Sequence, residues 1–135
     1  MFWGPWQHQF LIRGAYTMTE WGVKMKIGVI GAGSIGGTIG AKWAIRNHEV
    51  YFGVREPQKE SLTEKIGTMT GMVRVGHSAD AIAFSDVLVF AVPGASVGPI
   101  VDENLDNLRG KIIIDASNNM RGESRHALGY LRDQL

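Results

Sequence analysis

Between residues 28 and 43 the chain reads GVIGAGSIGGTIGAKW, six glycines in sixteen positions. Glycine loses more backbone freedom on ordering than any other residue, so regular structure ordinarily avoids it. Such a density suits a place where the backbone turns sharply or lets something come close. The run overlaps KIGVI (26–30), a short buried-strand pattern, and leads into Ile35, Ile39 and Trp43, four apart on one helical face. The expected helix covers 34–46. A strand, a tight glycine turn and a helix start together give the spacing Gly31-x-Gly33-x-x-Gly36 its dinucleotide-binding meaning. Gly31 allows the turn, Gly33 lets a pyrophosphate approach the backbone, and Gly36 lets the helix pack on the strand. Free N–H groups at the helix start, with the positive end of its dipole, hold phosphates. Gly31, Ala32, Gly33, Ser34, Ile35 and Gly36 are therefore candidate cofactor-binding residues. Gly37 and Gly40 are surplus to the pattern, and Gly40, one turn after Gly36, suits close helix–sheet contact. Methyltransferases that bind S-adenosylmethionine carry related loops, and tight packing alone is the competing explanation.

The pattern then repeats. HEVYFGV (48–54) is a second strand, and a helix is expected from Pro57 to Gly67, with Leu62 and Ile66 one turn apart. MVRV (72–75) is a weaker strand before a short helix over 79–85. VLVFAV (87–92) is a continuous apolar run, as in a strand covered on both faces. Val97, Ile100, Val101, Leu105 and Leu108 form one helical stripe closed by Gly110, KIIIDA (111–116) is a fifth strand, and 124–134 is a candidate last helix. Alternating strands and helices predict an α/β fold: a Rossmann-like, doubly wound, mostly parallel sheet of about five strands. The complete dinucleotide fold has six.

The first 24 residues stand apart. They hold Trp3, Trp6 and Trp21, three of the four tryptophans, and show neither helical nor strand period. They lack the apolar centre and cleavage site of a signal peptide. The expected division is an N-terminal extension, 1–24, and a nucleotide-binding domain, 25–135. Either Met25 is the functional start, or the extension is an arm whose aromatics pack on the domain. A net charge of +1 gives no bulk electrostatic case for nucleic acid or a membrane surface, and no apolar run is long enough to span a bilayer. The chain has no cysteine, which excludes thiol catalysis and cysteine zinc sites and suits a reducing cytoplasm.

An NAD site places an acidic residue near the end of its second strand, about 20 residues on, to bind the ribose 2′-OH. This chain has Val54 and Arg55 there. An arginine fork suits a 2′-phosphate and can stack on adenine. Lys59 adds a second charge four residues later, while Glu56 counts against it slightly. NADP is favoured over NAD, with a solvated basic residue as the alternative.

MKIGVIGAGSIGGTIGAKW, HEVYFGVRE, SDVLVFAVP and IIIDASN, in that order over about residues 25 to 120, resemble the N-terminal domain of the coenzyme F420-dependent NADP oxidoreductases, a domain shared with the pyrroline-5-carboxylate reductase N-terminal family. In the F420-dependent enzymes a small hydroxyl residue, an arginine and a lysine four further on hold the 2′-phosphate. Arg55 and Lys59 match, and Val54 replaces the hydroxyl residue. The resemblance places Ala91, Val92 and Pro93 along the nicotinamide ribose and Asn118 near the nicotinamide. It implies hydride transfer between NADPH and C5 of the deazaflavin F420, which needs close ring stacking more than an acid or base.

No catalytic residue is assigned. His8, His48, His77 and His126 show no metal-ligand spacing, Asp86 and Asp115 read as structural or capping residues, and Asp102, Glu103 and Asp106 as a solvated helix face. Relatives implied by the resemblance continue into a further strand and a mostly helical part that completes the second-ligand pocket and a homodimer. This chain is then either a fragment or a minimal module. A non-catalytic NADP-binding module and a pyrroline-type imine reductase stay open as alternatives.

Overall fold

The computed structural model describes residues 11–12, 16–19 and 22–117, with residues 129, 132 and 134 beyond them. Those last three are helical. Otherwise the helix expected over 124–134 lies outside the described residues, as do Trp3, Trp6, Trp21, His8 and His126.

The amino-terminal segment contains strands where the sequence shows no period. β1 (Leu11–Ile12), β2 (Tyr16–Thr19) and β3 (Gly22–Lys24) form an antiparallel sheet in that order. Strands of two to four residues are too short for alternation to register. After β3 the chain runs into β4 (Lys26–Ile30), the centre of the main sheet. The junction is fastened to the next strand. Lys24 Nζ lies 3.2 Å from Glu49 Oε1, and the Met25 N–H donates to His48 Nδ1 at 3.2 Å.

β4, β5 (Glu49–Val54), β6 (Met72–His77), β7 (Val87–Phe90) and β8 (Ile112–Asp115) form one parallel sheet in the order β6-β5-β4-β7-β8. α1 (Ser34–Ile45), α2 (Glu60–Gly67), α3 (Ser78–Phe84) and α4 (Gly94–Leu108) are the crossovers. This is the doubly wound α/β architecture that the alternating pattern predicts. Both faces of the sheet are covered. On one face Ile30, Leu88 and Phe90 pack against Ala81 and Ile82 of α3 and Val97, Val101 and Leu108 of α4. On the other, Ile27, Val29, Val50, Phe52, Val87 and Val89 meet Ala44 of α1, with Trp43 and Ile66 at the margin. Every residue of β7 is buried, which explains its unbroken apolar run.

Two helices differ from expectation in an instructive way. α1 has the predicted period but is rotated by one residue. Its buried face is Gly36, Gly37, Gly40 and Ala44, while Ile35 is 52% exposed. The helix lies so close to the sheet that a Cβ on Gly40 would stand 2.3 Å from the Phe52 ring. Small residues thus face the sheet, and Ile39 and Trp43 flank it, half-buried. α2 begins at Glu60 rather than Pro57. The Lys59 N–H donates to Glu56 O at 3.2 Å, closing a turn with Pro57 at its second position, which proline favours.

His48 offers a pH test of the β3–β5 junction. Burial lowers its pKa from 6.5, and its Nδ1 accepts the Met25 N–H only when unprotonated. The neutral ring is favoured in the folded state, so the unfolded chain binds the proton more readily. The stabilisation is complete above the unfolded value. It declines as pH falls below 6.5 and levels off once the lowered folded value is passed. Denaturant titrations from pH 7.5 to 5 are expected to show this decline in the wild type and a flatter profile in His48→Gln. Parallel profiles would remove His48 as the cause.

Candidate functional site

The turns after β4, β5 and β7 meet at the carboxyl edge of the sheet. Register makes them level: Ile30 pairs with Gly53 on one side and Phe90 on the other. The Gly31 N–H donates to Gly53 O at 2.9 Å, and the Ala91 N–H to Ile30 O at 2.8 Å. Strand order reverses at β4, so a crevice opens beside the glycine turn, the usual ligand position in such sheets.

The three glycines of the pattern have different surroundings. Gly31 has φ +101°, and a Cβ there would stand 2.4 Å from Ala91 O. A Cβ on Gly36 would stand 2.1 Å from Gly31 O and 3.1 Å from Ala91 Cβ. Gly31, Gly36 and Ala91 are therefore a packed group joining the two turns to α1. Gly33 faces open space, with no heavy atom within 4 Å of a Cβ placed there. It also caps α1 without a side-chain hydrogen bond, and the first turn carries no acid. The leading N–H groups of α1 thus lack intrahelical acceptors at the point where the backbone is open.

Two adjoining clefts share Ala32, Val54 and Arg55. The larger, about 850 Å³, runs past Gly31, Val92 and Pro93 to α3 and α4. The smaller, about 420 Å³, is lined by Arg55, Lys59, Ser61, Lys65 and Glu56 among others. Three cations against one carboxylate favour an anionic occupant. Among the described residues neither Arg55 nor Lys59 forms an ion pair.

Of the predicted residues, Gly31, Ala32, Val54, Arg55, Lys59, Val92 and Pro93 border these clefts. Ser34 and Ile35 are exposed in the first turn of α1, whereas Ala91 packs against Gly31 and Gly36. Asn118 lies outside the described residues. Asp115 has the structural role expected of it, accepting from the Ser117 N–H at 2.9 Å and the Ser117 hydroxyl at 2.6 Å. Asp86 sits at the opposite end of the sheet, where its N–H donates to Lys26 O.

Several cleft residues had not been singled out. Lys65, from the last turn of α2, donates to Ala32 O at 2.8 Å and Gly33 O at 3.1 Å. Ser78, Ser96 and Asn104 line the larger cleft, as do His77, considered above only as a metal ligand, and Glu103 from the expected solvated face. Asn104 had a readable signal, since it lies between Val101 and Leu108 on the stripe that begins at Val97. It is only 7% exposed, has irregular backbone angles (φ −129°, ψ 17°) and donates to Ile100 O at 2.8 Å. A buried amide inside an apolar stripe thus marks the kink in α4 beside the larger cleft.

The model of the family "NADP oxidoreductase coenzyme F420-dependent" matches residues 26–119. The chain belongs to this family. Similar solved structures include a candidate F420-dependent NADP-reductase from Arthrobacter sp. FB24, 28% identical, with a TM-score of 0.63 over 76% of this chain and 50% of that one. Pyrroline carboxylate reductase from Plasmodium falciparum with NADP bound shares the fold at 17% identity, with a TM-score of 0.56 over 81% of this chain and 37% of that one. So does a reductive aminase from Aspergillus terreus in complex with NADPH and ethyl levulinate, at 22% identity and TM-score 0.56, over 82% and 38% of the two chains. The chain spans about half the length of the Arthrobacter protein. Membership makes this an NAD(P)-dependent oxidoreductase-like domain. No helix among the described residues is long and apolar enough to cross a membrane.

Proposed function

We propose that this chain is the NADP(H)-holding part of an oxidoreductase that moves a hydride between NADPH and coenzyme F420. The observation that carries the reading is the cleft region formed by two adjoining clefts that share Ala32, Val54 and Arg55, cationic at Arg55, Lys59 and Lys65 and next in the chain to the open backbone at Gly33. Its shape and charge suit a dinucleotide with an extra phosphate. The pyrophosphate would meet the leading N–H groups of α1 at Gly33, Ser34 and Ile35. The 2′-phosphate would meet Arg55 and Lys59, and Val92 and Pro93 would border the ribose side. When bound, NADPH supplies the hydride from its nicotinamide ring. This chain's residues hold and orient the cofactor, and Asn118 is the candidate neighbour of the nicotinamide. The second-ligand pocket calls for a helical part and a second subunit, as the family resemblance implies. The absence of cysteine suits a reducing, cytoplasmic setting.

The test is to mix the protein with NADPH and oxidised F420 and follow the visible absorbance of the deazaflavin. Bleaching is expected, at a rate proportional to protein, when the helical part that completes the second-ligand pocket is supplied. Unchanged absorbance with protein that binds NADPH would favour a non-catalytic module. Binding of S-adenosylmethionine in place of NADPH would overturn the dinucleotide reading.

A further inference from the structure

We infer that Lys65 is a third cationic anchor for the 2′-phosphate of NADP(H), and that the glycine at position 37 makes room for it. This rests on the NADP reading above and goes beyond the Arg55 and Lys59 pair.

Lys65 reaches from α2 across to the glycine turn, where its ammonium bonds both Ala32 O and Gly33 O. Gly33 O also accepts the Gly37 N–H at 2.8 Å, so the ammonium adds positive charge at the edge of the turn. An ammonium has three N–H donors. Two go to the carbonyls, and the third is available to a phosphate oxygen. Lys65 also shares the smaller cleft with Arg55 and Lys59, on the side of the turn toward α2.

Gly37 is the second observation. It lies outside the dinucleotide pattern, and its backbone is within a regular helix, where alanine is the better residue. A Cβ there would stand 2.5 Å from Lys65 Nζ and 2.8 Å from its Cε, but 3.4 Å from Ala32 O, an ordinary contact. What the missing methyl accommodates is therefore the end of the Lys65 side chain. Lys65 and Gly37 form a pair, coupling α2 to the start of α1 beside the anionic cleft.

Calorimetric titration of wild type, Lys65→Gln, Gly37→Ala, the double variant and Arg55→Ala with NADPH and NADH tests this. Lys65→Gln is expected to raise the NADPH Kd about tenfold, the effect of one charge-assisted contact, and to leave NADH within about twofold. Gly37→Ala is expected to weaken NADPH about threefold while its thermal midpoint stays equal or rises, since alanine suits the helix. The double variant should bind no more weakly than Lys65→Gln, because both changes remove one interaction. Equal weakening of NADPH and NADH by Lys65→Gln would overturn the inference, as would unchanged NADPH affinity in either single variant. A wild type that prefers NADPH, with the preference lost in Arg55→Ala and kept in Lys65→Gln, overturns this inference alone. A wild type with no preference, unaffected by Arg55→Ala, overturns the NADP reading and this inference with it.

Discussion

Replacing Arg55 with alanine is expected to raise the Kd for NADPH about 30-fold while changing that for NADH by no more than about threefold. A charge-assisted contact to a phosphate is worth about 1.5–3 kcal/mol, and 1.4 kcal/mol is tenfold in affinity. Arg55 is exposed, so water and salt screen it, and about 2 kcal/mol is the appropriate figure. NADH offers a hydroxyl where NADPH carries the phosphate and loses only whatever stacking the guanidinium makes on adenine. Arg55→Lys should fall between wild type and alanine, keeping the charge but losing the planar fork. Titration of both nucleotides at low and moderate salt decides the matter, because the NADPH preference should shrink as salt rises. Equal weakening of both nucleotides would mean that Arg55 serves adenine rather than the 2′-phosphate.

Arg55 was readable because its meaning is local: it follows a strand at the distance where cofactor choice is made. The same holds for most of the fold. Apolar runs of strand length alternate with helical stripes, and the five parallel strands lie where those runs lie. Information carried by a third element was not readable. Lys65 looks like one lysine among several on a short polar helix, and only the crossover brings its ammonium to Ala32 and Gly33. α1 shows a subtler limit. Period fixes the spacing of a buried face but not which of two adjacent stripes it is. Ile35, Ile39 and Trp43 are the larger residues, yet Gly36, Gly40 and Ala44 meet the sheet, because close helix–sheet approach excludes bulk. Pro57 suited both a helix start and a turn, and the Lys59 to Glu56 hydrogen bond marks the turn. Asn104 sits at stripe spacing between Val101 and Leu108, but spacing alone does not say that a polar residue there is buried.

The glycine pattern itself gives equal weight to positions that the structure separates, and alanine substitution should expose the difference. Gly31→Ala is expected to lower stability by roughly 4 kcal/mol. Left-handed backbone costs a non-glycine residue about 1–3 kcal/mol, and forcing a methyl into packed atoms adds about 1–3 kcal/mol. The methyl would stand 2.4 Å from Ala91 O, and that turn is held by the Ala91 N–H bond to Ile30 O, so it cannot easily yield. In a domain with about 5–15 kcal/mol in total, the thermal midpoint should fall by on the order of 15 °C. Gly33→Ala should do the opposite. Its backbone (φ −71°, ψ −158°) is open to alanine, and a Cβ meets no atom within 4 Å, so the midpoint should stay within about 2 °C of wild type. Binding of NADPH and NADH should nevertheless weaken together by about 100-fold or more, since the methyl would occupy the space through which the pyrophosphate reaches the backbone. Calorimetric scans paired with titrations measure both effects. Wild-type affinity in a well-folded Gly33→Ala protein would move the phosphates away from this turn, leaving the glycines as packing devices for α1.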